Sequence, residues 1–244
     1  MASGKSSPRQ KMINLMYLIF IAMLALNMSK EVLAAFGLLN ERVEASNTKT
    51  SENNTAFLEG LETKASEDEA KYAALYEDAQ KIKVLSEEYD NYIANLKKSL
   101  VEGIEDPTDY EVMDKSDYLD QKFFQGDKLS PEGEEFMKRI RDYRNSIIEI
   151  LGDKYPGLSS QVLQRFQVGD EDGKVTTRDG VKMDWLNYHV EGFPLIASLT
   201  KFSILQSDIK ATEEDALKAM LQGVLEVQTS LSHYSTLLDT ENSA

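Results

Sequence analysis

Between Met12 and Ser29 the chain carries no charged residue. These 18 positions, MINLMYLIFIAMLALNMS, hold only Asn14, Asn27 and Ser29 as strongly polar side chains. As a helix rising about 1.5 Å per residue they reach roughly 27 Å, close to the hydrocarbon thickness of a bilayer. A single membrane-spanning helix is therefore expected, placed over 12–33. The competing reading is a cleaved signal peptide with a small-residue site at Val32-Leu33-Ala34. The apolar run exceeds the roughly 7–15 residues of a signal peptide, which argues against cleavage. The helical spacing of Val32, Leu33, Phe36 and Leu39 also runs straight past that site.

The flanks set the orientation. Lys5, Arg9 and Lys11 precede the run, whereas Lys30 is followed by Glu31, Glu41 and Glu44. The positive-inside rule puts residues 1–11 in the cytoplasm as a short tail and the rest of the chain outside it. Ser7-Pro8-Arg9-Gln10 reads as a capping box with Pro8 at the first helical position, so the helix starts before the membrane. At 100° per residue Arg9 shares a face with Ile13, Met16, Phe20 and Asn27. Arg9 and Lys11 can snorkel to anionic head groups, the plainer reading from the residues alone. Arg9 can instead meet a carboxylate on another membrane helix. Asn14, Tyr17 and Asn27 are either mild interhelical hydrogen bonders or incidental.

Charge narrows the function classes. The net charge is -15; residues 1–30 carry +4, which leaves -19 on the remaining 214. A body that acidic argues against binding nucleic acid, which needs clustered Lys and Arg. Without cysteine there are no disulfides, thiolate nucleophiles or Cys-ligated metals. The two histidines, His189 and His233, form no HExxH and no Ser-His-Asp spacing. No catalytic residue, cofactor site or metal site is assigned, and the chain is read as a non-enzyme.

Past the membrane run the periodicity is helical. Ser66-Glu67-Asp68-Glu69 reads as a second capping box. The helix after it spaces Tyr72, Leu75, Ala79, Ile82, Ser86, Tyr89, Ile93, Leu96 and Leu100 by alternating threes and fours, a heptad seam. Ser130-Pro131 opens a third helix carrying Phe136, Ile140, Tyr143, Ile147 and Ile150, which Gly152 and Pro156 end. The last long helix begins near Pro194 and carries Leu195, Leu199, Phe202, Ile209, Ala216, Met220, Val224, Val227 and Leu231. The best strand signal is Lys174 to Thr177. The fold class expected is all-α: a single N-terminal transmembrane helix, then an up-and-down helical bundle over 34–235, with 236–244 as a tail. The polar stretch 44–55 is an exposed helical neck or a hinge; 104–129 and 169–180 read as loops.

Apparent sites dissolve on inspection. Gly169-Asp170-Glu171-Asp172-Gly173 resembles a calcium loop, but its ligand spacing fails, so it reads as a tight turn. Trp185, Tyr188 and His189 lack companions for a metal site and read as packing residues. Carboxylates are plentiful, yet no pair is singled out for acid–base work.

The stretch Pro8-Arg9-Gln10-Lys11-Met12-Ile13-Asn14-Leu15-Met16-Tyr17-Leu18, continuing through Ala22–Asn27 and Ser29–Leu33, resembles the GldM/PorM family of the type IX secretion and gliding machinery. A second match lies in Trp185, Phe193-Pro194, Thr200, Gln206, Asp208-Ile209 and Glu214. The resemblance implies an inner-membrane anchor, a helical first periplasmic domain, and further β-sandwich domains beyond this chain. It implies a homodimer whose membrane helices pass through a ring, a pentamer, of a GldL/PorL-like protein. Proton flow through the ring would move the dimer, and the periplasmic rod would carry the motion to outer-membrane components. The family's membrane arginine and tyrosine fall on Arg9 and Tyr17, which makes a partner carboxylate the expected contact of Arg9.

Two functions follow as expectations. One is a protonmotive-force-driven motor subunit for type IX protein secretion and gliding. The alternative is a sensor or adaptor bundle hung on one anchor, for which a cytoplasmic tail of about ten residues leaves little room to signal. A periplasmic hydrolase lacks a nucleophile and base pair.

Overall fold

A computed structural model describes residues 8–126 and 128–242, and the side-chain environments of 9–21, 30–126 and 128–224. Ser7, the expected first cap, lies outside the described residues. Helix α1 runs unbroken over Pro8–Glu67, 60 residues, or about 90 Å at 1.5 Å per residue. No proline occurs between Pro8 and Pro107, so nothing removes a backbone donor along it. Pro8, Pro131 and Pro156 each stand at the first turn of a helix, where the missing N–H is not needed.

Helix α2 (Glu69–Val101) follows after the single residue Asp68. The expected capping box there does not form. Ser66 is still inside α1 and donates its hydroxyl back to the Thr63 carbonyl at 2.7 Å, which leaves Asp68 at the break without a side-chain cap bond. The heptad seam of α2 is as read: Tyr72, Ala79, Ile82, Ser86, Tyr89, Ile93, Leu96 and Leu100 are buried, and Leu75 is half-buried.

The stretch expected as loop contains the short α3 (Asp117–Phe123) and a two-residue hairpin, β1 (Phe124–Gln125) with β2 (Lys128–Leu129). Helix α4 (Pro131–Leu151) is capped by Ser130, which accepts from the Gly133 N–H, and ends at Gly152 with φ 52°. Pro156 does not merely end α4: it opens α5 (Pro156–Arg165), which the sequence reading missed. Strands β3 (Lys174–Thr176) and β4 (Lys182–Asp184) pair antiparallel where the strand signal lay. Helices α6 (Trp185–Val190) and α7 (Leu195–Asn242) complete the chain.

Helix direction can be read from side-chain pairs. Ser86–Tyr143 and Tyr92–Phe136 make α2 and α4 antiparallel. Asn47–Ser203 and Asn54–Lys210 share one sequence offset, 156, so α1 and α7 run parallel. Tyr143–Ile209 and Phe136–Phe202 make α4 parallel to α7 as well. The up-and-down alternation thus holds for α1, α2 and α4 and is broken at α7. The reason lies between α4 and α7: α5 turns back along α4 to set Phe166 against Tyr143, level with Ile209, and residues 167–194 carry the chain the rest of the way to Leu195. The core joins Phe123, Phe136 and Phe202, with ring centroids 5.2–6.3 Å apart, to Tyr143, Ile82, Ile93 and Leu217.

Candidate coupling site

Along α1 from Met12 to Ile21 every large apolar side chain is exposed, Tyr17 at 67%. A continuous exposed apolar surface marks an interaction with lipid or another apolar face. Arg9, Asn14 and Tyr17 all lie on this exposed part of α1, and Gln10 donates to Asn14 at 3.4 Å. Among the described residues all three are exposed. The side chain of Asn27, the fourth expected contact, lies outside the described residues. Among the described residues no helix is long and apolar enough to cross a membrane; the run read from the sequence includes 22–29, whose side chains are not among them.

The bundle takes hold of α1 just above the run. Lys30 pairs with Glu111 at 2.6 Å, and Leu33, counted with the membrane helix in the sequence reading, is 3% exposed in the bundle core. One turn on, Gly37 lets the Tyr110 ring lie directly on the helix. The Tyr110 hydroxyl donates to Glu41, and that bond, with partial burial, pushes the phenol up to about 12.

Above this clamp a polar network links α1, α2 and α7. Lys97 of α2 donates to Glu44 and to the Ser203 hydroxyl, both at 2.6 Å, and to Gln206 at 3.1 Å. Ser203 donates to Asn40 at 2.7 Å, and Asn40 donates to Glu44 at 3.2 Å. Lys97, Ser203, Asn40 and Glu44 therefore close a hydrogen-bonded circuit across three helices. Burial works to raise the Glu44 carboxyl, but the Lys97 contact and the Asn40 and Ser203 bonds hold it below its ordinary value. The circuit continues through Gln206 to Asp90 at 2.9 Å, which Lys210 meets at 2.9 Å. Farther along, Glu213 is 8% exposed, and burial pushes its carboxyl up to about 7.

Segment 44–55 is helical with most of its side chains exposed, as the helical-neck reading has it, but it is packed along one face and is no hinge. It is the middle of α1, with Asn47 and Asn54 buried against α7. The sequence reading missed this site because it took Asn47 and Asn54 as solvated along with their exposed neighbours. The available signal was spacing: Asn40, Asn47 and Asn54 fall seven apart, in line with Leu33 and Leu61. The other apparent sites are structural. Asp170 accepts from the backbone N–H groups of Asp172 and Lys174 and pairs with Lys182 at 3.1 Å, fixing a turn. His189 stacks on Trp185 at 4.3 Å and contacts the Trp185 carbonyl through Nδ1. Among the described residues no cluster of side chains is placed to hold a metal ion.

The GldM N-terminal domain matches residues 31–223, which is 193 of the 244 positions. This chain belongs to the GldM family. The match opens one residue past Lys30 and closes one before Val224, so it covers the Gly37–Tyr110 contact and the polar network but not Lys30. No curated protein matches the chain. The GldM family is tied to gliding motility and type IX secretion, works within a complex of membrane proteins, and is a structural motor subunit rather than a known enzyme family.

Proposed function

We propose that this chain is the inner-membrane subunit of a protonmotive-force-driven motor, and that it carries motion outward to power type IX secretion and gliding. The observation that carries the reading is the continuity of α1: one helix joins the exposed apolar stretch at Met12–Ile21 to the buried seam at Leu33–Leu61. An unbroken helix passes rotation or tilt along its length, whereas a hinge would absorb it. The N-terminus lies in the cytoplasm and the acidic bundle in the periplasm. Two copies pass their helices through a pentameric GldL/PorL-like ring, in contact with membrane lipid, and further domains reach the outer-membrane machinery. The role is mechanical, without catalysis or cofactor.

In this scheme Arg9 faces a ring carboxylate that gains and loses a proton. Protonation neutralises that carboxylate and weakens the pair; deprotonation restores it, which gives two states with different preferred contacts. Arg keeps its charge at any usable pH and serves as a fixed counter-charge. Tyr17, Asn14 and Asn27 line the same membrane contact. The test is secretion in Arg9→Ala cells with the amount of membrane complex measured in parallel. Lost secretion with normal complex supports the coupling. Near-normal secretion makes Arg9 a lipid anchor and removes the proposed coupling through it; the alternative, an adaptor bundle, would purify from membranes as a lone monomer without a small two-span partner.

A further inference from the structure

Glu213 of α7 is an acid buried without a charged partner. It is 8% exposed, and among the described residues no ion pair reaches its carboxyl. The two cations that act on it are engaged elsewhere: Lys210 meets Asp90 at 2.9 Å, and Lys83 lies 3.6 Å from Glu87. Its surroundings come from four helices. The Asn54 amide belongs to α1, Lys83 and Glu87 to α2, the Tyr143 phenol to α4 and Lys210 to α7. Arg165 of α5 is held nearby by Thr212 and Asp215, at 2.7 and 3.0 Å. Burial is the largest influence and pushes the carboxyl up to about 7; Glu87 acts in the same direction, and Asn54, Lys210 and Lys83 oppose it.

Lys210 stands between two carboxylates. Glu213 follows it by three residues on α7, a spacing that sets both side chains on one face of the helix within reach of each other. Asp90 faces it from α2. The two acids differ in what they lose when the lysine leaves. Asp90 also accepts from the Gln206 amide at 2.9 Å and its side chain is 23% exposed, so it keeps a donor and water. An ionised Glu213 has less water and no cation, and a buried charge without a partner is the costlier one to leave. Lys83 is the weaker candidate to neutralise it, because it is drawn toward Glu87, whose side chain is 59% exposed.

We propose that Lys210 is a proton-controlled tie: it joins α7 to Asp90 of α2 while Glu213 is neutral, and it moves to Glu213 when that carboxyl loses its proton. The structure holds the neutral arrangement. The proton goes to solvent and the lysine stays charged throughout, so no other group changes its protonation. The exchange replaces a charged link between two helices with a contact internal to α7. The Lys97 circuit and the Gln206–Asp90 bond are untouched, so the helices stay packed and only this charged α2–α7 link is given up. In the periplasm, where the reading above puts the bundle, the tie follows the proton concentration on the side that supplies the motor. The exchange itself is chemistry of the bundle and does not depend on that reading.

The test is a double-mutant cycle on the full chain in detergent, Asp90→Asn with Lys210→Met, read by urea unfolding. At about pH 6 the two side chains should be coupled by about tenfold in the unfolding equilibrium. At about pH 8.5 the coupling should fall to about twofold or less, because the lysine has moved. In a Glu213→Gln background it should stay at about tenfold at both pH values, since an uncharged amide never claims the lysine. Glu213→Leu takes the place of that background if the glutamine variant does not fold. Carbon-13 labelling of the aspartate carboxyls gives a second reading: the Asp90 signal should shift with a midpoint at about 7 in the parent and lose that step in the Glu213 variants. Coupling in the parent that is equal at both pH values overturns the exchange and leaves Lys210 with Asp90 throughout. Coupling that falls equally in the Glu213 variants overturns it too and puts the titrating group elsewhere. Absence of coupling at either pH removes the tie itself.

Discussion

The Tyr110 ring occupies the space that a side chain at position 37 would need: a Cβ on Gly37 would stand 2.0 Å from Tyr110 Cδ2. Glycine inside a helix costs about 1 kcal/mol relative to alanine, so its presence here is set by the ring. The contact fastens the 102–116 segment to α1 immediately above the apolar run, next to the Lys30–Glu111 pair. Gly37→Ala should therefore destabilise the bundle by about 1–3 kcal/mol, the usual range for overpacking, despite the better helix propensity. Tyr110→Ala should abolish most of that penalty. Urea midpoints of the two single variants and the double variant give the coupling between them. Additive losses would show that the ring is free to move aside and that no clamp exists.

Lys97 is the junction of the polar circuit, and at 15% side-chain exposure it is mostly removed from water. Lys97→Met keeps the alkyl stem and deletes every donor. Glu44, half exposed, can turn to solvent, but Ser203 and Gln206 are buried and lose a partner. Loss of about 1–3 kcal/mol is expected, more than an exposed ion pair would give. The Lys97–Glu44 pair alone would be screened by salt, so the loss should persist in about 1 M salt, where the Debye length is about 3 Å. If that salt restores parent-like differences, the contact is a surface pair and nothing more.

The helices that were legible in the sequence had either a seam or a stop. The α2 heptads, the Ser130-Pro131 start and the Gly152 end of α4 each follow from one local rule, and each is where it was expected. Three features were illegible because a local motif does not show what the chain does next or what packs against it. Ser66 looked like a cap because the motif cannot show that α1 runs on to Glu67 and that the Ser66 hydroxyl turns back to Thr63. Pro156 looked like a stop because nothing local says that a helix returns after it. The polar stretch 44–55 looked solvated because Ser203 and Lys210, which accept its amides, lie 156 residues away. The membrane contacts at Arg9, Asn14 and Tyr17 rest on sequence and resemblance, since these side chains are exposed among the described residues.

Orientation is checked by reporter fusion. Lys5, Arg9 and Lys11 before the run and Glu31, Glu41 and Glu44 after it predict the N-terminus inside. Alkaline phosphatase joined after Ala45 should be active, because it folds only outside the cytoplasm. Moving Lys5, Arg9 and Lys11 to the far flank should reduce that activity. An inactive fusion in the unmodified chain, with a cytoplasmic reporter active at the same site, reverses the orientation and takes the bundle out of the periplasm.

Glu213 supplies a pH dependence whose sign is fixed by its surroundings. Burial is the largest influence and favours the neutral acid; the Asn54 amide of α1 and the ammonium groups of Lys210 on α7 and Lys83 on α2 oppose it, while Glu87 on α2 adds to it. The net result is a carboxyl that titrates at about 7 in the folded chain, against 4.5 ordinarily. Between those values the folded state holds a proton that the unfolded state has released. The stability that this proton contributes is fully present below pH 4.5 and is lost as pH rises through 7. At about 1.36 kcal/mol per pH unit, the fall amounts to roughly 3 kcal/mol at most. Glu213→Gln keeps the shape and the hydrogen-bonding capacity while removing the charge. The variant should match the parent near pH 5, exceed it above pH 7.5, and show a flatter stability curve between them. Urea unfolding of both proteins at closely spaced pH values reads this directly. Parallel curves across that window would mean that Glu213 is charged in the folded protein at neutral pH, paired with Lys210 or Lys83 rather than held neutral by burial.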